Sequence, residues 1–258
     1  MGQYLNLWYF NRNFGDALNK PLVEAIAGKE ILRINEEKGS LDSPAYSAIG
    51  SIIQFLNRPC IVWGSGIIGL DYELKAKPRE VLAVRGPLTR KRLLDLNISC
   101  PEVYGDPALI LPRYFPATKS PTYELGIVPH YVDADNQFLP KDERIKIINV
   151  YDKPMEVVKQ ILDCRRIMSS SLHGLIVADA YRIPSLWLKF SRKIFGKDFK
   201  FYDYYASIGC PGMRPYIVNA PQKWLHLMNL CSKKPLVIDL EKLIASCPFL
   251  KNPPLPKK

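Results

Sequence analysis

Apolar residues in this chain come in short runs that alternate with segments of helical spacing. Tyr4–Phe10 is apolar and aromatic and reads as a first strand. Asn11–Asp16 follows, rich in turn residues. Ala17–Ala27 then places Leu18, Val23 and Ile26 at helical spacing, with Gly28 as the stop. Ile31–Ile34 reads as the next strand, Tyr46–Leu56 as a helix, and Pro59–Trp63 as a buried strand ended by Gly64-Ser65-Gly66. Val81–Val84 is a further strand. Arg85-Gly-Pro-Leu-Thr89 comes after it, with Pro87 in the first turn of a helix that runs to about Leu96. Val103–Tyr104 is a short piece, and Gly105-Asp-Pro107 breaks the chain before Ala108–Leu111.

Residues 112–121 hold three prolines with Ser and Thr and read as a domain boundary. The pattern then restarts. Leu125–Tyr131, Ile145–Val150, Arg166–Met168 and Pro184–Phe190 read as strands, and Pro154–Asp163 and Gly174–Tyr181 as helices. Ser169–Gly174 is the loop between the third of these strands and its helix. Strands alternating with helices, and glycines at strand ends, predict an α/β fold with mostly parallel sheets. Two such halves predict two Rossmann-like domains facing a cleft: residues 1–113 with Arg85, and residues 122–232 with His173. Residues 233–258 add a C-terminal helix and a basic, proline-rich tail, Lys251–Lys258, expected to be solvated.

Composition adds a sign. Thirty-six Lys and Arg against twenty-five Asp and Glu give a net charge of +11, which favours anionic ligands or an anionic membrane surface. Lys189, Arg192, Lys193, Lys197 and Lys200 crowd into one twelve-residue run. No apolar run approaches the ~20 residues of a membrane span, and the N-terminal residues lack the layout of a secretory signal, so the expected location is cytoplasmic. The six cysteines form no C-x-x-C pair and there are three histidines, so zinc spacing is absent and no metal is expected. The cysteines are expected to be reduced and mostly buried, and Trp8, Trp63 and Trp187 to belong to the core.

In open α/β sheets ligands bind at the carboxyl ends of strands, beside the starts of the following helices. Four segments qualify. Ser169–Gly174, with Ser170, Ser171, His173 and Gly174, brings a hydroxyl-rich loop to a helix start, a ready anion site with a histidine able to move protons near neutral pH. The same serines also suit plain capping, and His173 plain packing. Arg85 suits a carboxylate or phosphate, or an exposed salt bridge. Asn13, Gly15 and Asp16 suit sugar hydroxyls, or an ordinary turn. Gly64, Ser65 and Gly66 permit close ligand approach, or a tight turn. Asp106 either orients a partner or caps Ala108–Leu111, and His130 either faces the cleft or is half-buried. A lipase elbow, a Walker loop, an H-E-x-x-H zinc motif and a paired-carboxylate signature are all missing.

Asn13-Phe-Gly-Asp16, Val62-Trp-Gly-Ser-Gly-Ile67, Ala83-Val-Arg-Gly-Pro-Leu-Thr-Arg90, Pro101–Pro107, Pro129–Asp133 and Ser169–Gly174 lie in a consistent order across roughly residues 5–210. Together they resemble the polysaccharide pyruvyl transferase family, in particular the ketal-pyruvate transferases of bacterial exopolysaccharide assembly. The resemblance implies a GT-B-like pair of domains, the first on the acceptor side and the second on the donor side. It implies phosphoenolpyruvate as co-substrate with no cofactor. The implied acceptor is a sugar on a polyprenyl-diphosphate-linked oligosaccharide, and the implied product is a cyclic pyruvate ketal. By this resemblance His173 matches the functional histidine, Arg85 the arginine after the mid-chain strand, and Lys193, with Lys189 competing, the lysine downstream. Many relatives carry arginine directly before Leu-His, where this chain has Ser171. Another cation of the basic run, or a backbone N–H, then has to hold that charge.

Three other readings share parts of this pattern. A GT-B-type glycosyltransferase using a nucleotide sugar shares the fold and the basic site. A nucleic-acid-binding module would use the charge alone, and no recognised motif supports it, so no nucleic-acid partner is expected. An inactive capsule scaffold is weakened by the presence of His173 and Arg85. The basic surface also suits peripheral contact with the anionic inner membrane, close to a lipid-linked acceptor.

Overall fold

The structure, a computed structural model, describes residues 4–11, 13–36 and 43–250. The first half builds one parallel sheet from β1 (Tyr4–Leu7), β2 (Glu30–Arg33), β3 (Ala45–Ser47), β4 (Cys60–Trp63) and β5 (Glu80–Ala83), in the order β2-β1-β3-β4-β5. The second half builds another from β6 (Leu125–Val128), β7 (Ile145–Ile147), β8 (Ile167–Ser169), β9 (Ser185–Lys189) and β10 (Tyr216–Ile217), in the order β7-β6-β8-β9-β10. The two orders are the same. In each, the second strand lies on one side of the first and the third on the other, so the chain changes direction beside the first strand. Parallel pairing puts all carboxyl ends on one edge, and this reversal opens a crevice there. The crevices lie beyond β1 and β3 in one half, and beyond β6 and β8 in the other.

Nine α-helices are described: α1 (Phe14–Ala17), α2 (Asn19–Ala27), α3 (Pro87–Asp95), α4 (Leu111–Tyr114), α5 (Pro154–Leu162), α6 (Leu172–Ala180), α7 (Phe199–Ser207), α8 (Trp224–Leu227) and α9 (Leu240–Ala245). None of the described helices is long and apolar enough to cross a membrane. Apolar on every side, α6 is buried from Leu172 to Asp179, as expected for a helix with protein all round it. It packs on β8, on α5 and on the 3-10 turn Pro107–Ile110 of the first half. One hydrophobic core therefore runs from Leu7 and Trp63 through Val128 and Leu175 to Phe201. A smaller cluster around Leu125, Ile127, Met168, Leu188 and Trp224 also packs in the second half. Trp8, Trp63 and Trp187 are core, and all six cysteines are free thiols, three of them buried.

A buried ion pair also joins the halves. Asp203 of α7 accepts from Arg85 Nε at 3.0 Å, from the Thr89 backbone N–H at 2.9 Å and from Thr89 Oγ1 at 2.7 Å. Thr89 lies in the first turn of α3, so a carboxylate from the second half caps a helix of the first. Arg85 is fully buried; its remaining nitrogens donate to Ser51 Oγ and, at 2.9 Å, to the Ile67 carbonyl. Gly86 makes the approach possible, because a Cβ there would run into the Asp203 backbone.

Several expected elements differ. Residues 46–56 are not a helix. Tyr46 and Ser47 belong to β3, a loop follows, and only Ile53–Phe55 turns as a 3-10 helix. Polar side chains hold that loop: Asn19 binds both the N–H (2.9 Å) and the C=O (2.7 Å) of Ile49, and Gln54 binds Ile68, Gly69 and Tyr72. The strands expected to reach Tyr131 and Val150 end at Val128 and Ile147, and the proline-rich boundary begins with α4. The helix expected from Gly174 starts at Leu172, which moves His173 inside its first turn. Helix α7 was not expected at all. The tail Lys251–Lys258 lies outside the described residues.

Asp203→Ala should leave Arg85 buried without its carboxylate and uncap α3. Such losses cost about 3–5 kcal/mol. Urea unfolding checks this; an unchanged midpoint would show that the pair contributes nothing.

Candidate active site

Both crevices open on one cavity of about 370 Å³. The first half contributes Phe10, Asn13 and Asp16 from beyond β1, and Ser51, Ile52 and Phe55 from beyond β3. The second contributes His130 and Tyr131 from beyond β6, and Ser171, Leu172 and His173 from beyond β8. Ile68, Val150, Phe195 and Lys200 complete the wall. Phe10, Phe55 and Phe195 form an aromatic side, with ring centroids 5.5 and 6.2 Å apart in succession, and Phe195 is exposed.

His173 is 8% exposed, at the start of α6. Its Nε2 stands 3.4 Å from Oδ2 of the fully buried Asp106, which is ion-pair distance. The two atoms are not aligned for a hydrogen bond, and neither has a hydrogen-bond partner among the described residues. The other carboxylate oxygen of Asp106 accepts from Ala108 N at 3.0 Å. Asp106 therefore caps the turn, one of the two roles expected of it, and turns its other oxygen toward the His173 ring. Gly15 lies against the opposite edge of the ring, where a Cβ would overlap Nδ1. A carboxylate thus faces one imidazole nitrogen while the ring is held from behind by backbone, an arrangement suited to proton transfer.

The loop before α6 explains which serine is free. Ser169 Oγ binds the Val128 and Ser171 carbonyls, both at 2.8 Å, and Ser170 Oγ binds Asp133 at 3.1 Å while accepting from His130 N at 2.8 Å. Only Ser171 reaches the cavity, and it makes no side-chain cap. The α6 N-terminus is left with its partial positive charge beside the cavity.

Asn13 caps α1 and donates to the Asp16 carboxylate at 3.0 Å. Burial pushes Asp16 above the usual carboxylate range, opposed by His173, Lys200 and Asn13. Burial, helped by Lys200, drives His130 down to about 3, so it is neutral at ordinary pH. Lys200 is the one lysine or arginine among the described residues lining the cavity. It is 8% exposed, and burial lowers it to about 8, with Asp16 and Asp198 opposing and Arg85 assisting.

The cavity thus gathers His173, Ser171, Asn13, Asp16 and His130 of the expected residues, with Asp106 and Gly15 behind His173. The rest lie elsewhere. Arg85 is enclosed by Asp203, Ser51 and Ile67, and Gly66 leaves room for its guanidinium, since a Cβ would strike it. Gly64 packs on Pro107, Ser65 binds Ser47 and Ala48, and Gly174 packs on Ser169. Lys189 pairs with Asp198, and Lys193 is exposed on its loop outside the cavity lining. Sequence reasoning passed over Lys200, although it closes the basic run. The signal was there: Phe199-Lys-Phe-Tyr-Asp-Tyr-Tyr205 sets one lysine in an aromatic helix, three residues from Asp203 and on the same face.

A family model described as polysaccharide pyruvyl transferase matches residues 35–192, more than half of the chain. An uncharacterised protein of Acanthamoeba polyphaga mimivirus is 30% identical over 218 residues, 80% of this chain and 74% of that protein. The succinoglycan biosynthesis protein ExoV of Rhizobium meliloti (strain 1021) is 29% identical over 139 residues, 52% of this chain and 42% of ExoV. The crystal structure of an uncharacterised Klebsiella pneumoniae protein aligns over 84% of this chain and 94% of its own, with a TM-score of 0.46 and 14% identity.

Gly15→Ala should displace the His173 ring without unfolding the chain. Histidine-selective NMR should show its ring signals moved and those of His226 unmoved, and turnover should fall about 100-fold, as for an ångström-scale misplacement. Lys200 gives a pH test. Its folded value of about 8 lies below the ordinary 10.5, so the unfolded chain binds this proton more tightly. Its contribution to stability therefore rises with pH between those values. The urea midpoint of the wild type, relative to Lys200→Met, should move in favour of the wild type from pH 8 to 10.5; a constant or reversed difference contradicts the assignment.

Proposed function

Because the chain belongs to the polysaccharide pyruvyl transferase family and is a pyruvyl transferase acting on polysaccharide, we propose that its cavity takes phosphoenolpyruvate as donor and a sugar of a lipid-linked oligosaccharide as acceptor. The observation that carries the reading is His173 at the start of α6, lining a cavity fed by both halves and backed by the buried Asp106 carboxylate. On this reading the halves act as a GT-B-like pair, one bringing acceptor-side groups and the other donor-side groups.

The donor carries a phosphate and a carboxylate, and the α6 N-terminus with Ser171 is the natural place for an oxyanion. His173 delivers a proton to the methylene carbon of the donor, and Asp106 stabilises the imidazolium form before and after. The electron-poor C2 is attacked by a first acceptor hydroxyl, and the C2–O bond to phosphate breaks. A second hydroxyl closes the ketal on C2. Of the two hydroxyl protons, one replaces the proton given to the methyl carbon and the other leaves with phosphate, so the reaction balances without an oxidant or reductant. Asp16, whose burial favours its protonated form, and Asn13 receive the acceptor hydroxyls. The aromatic side made by Phe10, Phe55 and Phe195 offers apolar faces to the sugar rings.

Incubation with phosphoenolpyruvate and lipid-linked oligosaccharides, followed by phosphate release and acceptor mass, tests the reading. Turnover with a nucleotide sugar instead, and none with phosphoenolpyruvate, sinks it. His173→Asn should lower kcat about 1000-fold, and Asp106→Ala about 100-fold with donor KM changed less than threefold, in the range set by general acid–base catalysis. Wild-type kcat in His173→Asn would remove His173 from the chemistry.

A further inference from the structure

We propose that Lys200, in the first turn of α7 and on the wall of the cavity, is the residue that binds the phosphate group of the donor. The proposal rests on the phosphoenolpyruvate reading above and names the cation that reading needs.

As a structural residue Lys200 is badly placed. It is more than nine-tenths buried, where an ammonium is expensive unless paired. It makes no hydrogen bond to any described residue; its near neighbours are the Phe201 ring, 5.7 Å from Nζ, and the field of Asp16. It also lies in the first turn of α7, the wrong end of a helix for a cation. A lysine kept at such a site with three unused N–H donors opening on a cavity suits an anion that arrives later. Ser171 and the α6 N-terminus line the same cavity, which gives an incoming oxyanion a second, independent set of donors.

The fold also holds Lys200 there. Asp203, one helical turn along α7, is fixed to Arg85 and Thr89, so the face that carries both residues is pressed toward the first half. An ammonium acts as a compact point charge and suits a phosphate dianion, whereas planar paired recognition of a carboxylate favours arginine. Lys193 and Lys189 do not compete, being outside the cavity lining and, for Lys189, paired with Asp198.

Isothermal titration of the whole chain with inorganic phosphate, phosphoenolpyruvate and pyruvate tests this. Lys200→Met should weaken phosphate and phosphoenolpyruvate at least ~30-fold, the scale for losing one partner of a buried charge pair, and pyruvate less than threefold. Lys200→Arg should stay within about tenfold of wild type, and Lys193→Met and Lys189→Met within twofold. If Lys200→Met fails to fold, as judged by its thermal transition, Lys200→Gln takes its place. Unchanged phosphate affinity in the variant, an equal loss for pyruvate, or no phosphate binding by the wild type overturns the assignment. A wild type that binds phosphate through Lys200 yet forms no ketal sinks the pyruvyl-donor reading and leaves the phosphate site standing.

Discussion

The Asp203 carboxylate is the constraint on which the rest depends. It is buried, it accepts three hydrogen bonds, and all three donors come from the other half of the chain. A buried carboxylate without such partners is strongly disfavoured, so the halves meet in the one orientation that supplies Arg85 and Thr89 together. That orientation seats α7 against α3 of the first half and sets Lys200 in the cavity wall. The arginine expected to hold a ligand instead holds the architecture that makes a ligand site.

The repeated strand order explains why the site lies where it does. Each sheet reverses direction next to its first strand, and each reversal leaves loops that the sheet does not cover. One pair of loops brings Asn13, Asp16 and Ser51, and the other His130, Ser171 and His173. The proposed transfer from an anionic donor to a sugar would need two differently furnished sides, and duplication of one topology supplies them.

Much of the fold was legible. Short apolar runs, some with glycines at their ends, mark the described strands except β3, which falls in the expected helix, and the two-residue edge strand β10, because a buried parallel strand tends to be apolar on both faces. The apolar spacing of residues 46–56 suits a helix, but Asn19, distant in the chain, takes up both backbone groups of Ile49, and Gln54 ties the segment to the backbone of Ile68, Gly69 and Tyr72. In the site, His173 and Asp16 were legible as polar residues beside turn-rich strand ends. Lys200 was visible as part of a basic run, but nothing local separates a buried lysine from the solvated ones around it.

The sequence by itself determined the alternation of strand and helix, the duplication and the histidine at a helix start, because periodicity and turn chemistry are local; the family came from the ordered motifs and the matching family model. Only the tertiary structure decided which charges are free. Arg85 and Lys200 are both cations in apolar surroundings, and the sequence reverses their roles. Asp203 reaches the guanidinium and not the ammonium, and a charge that already has its carboxylate is not available to a substrate.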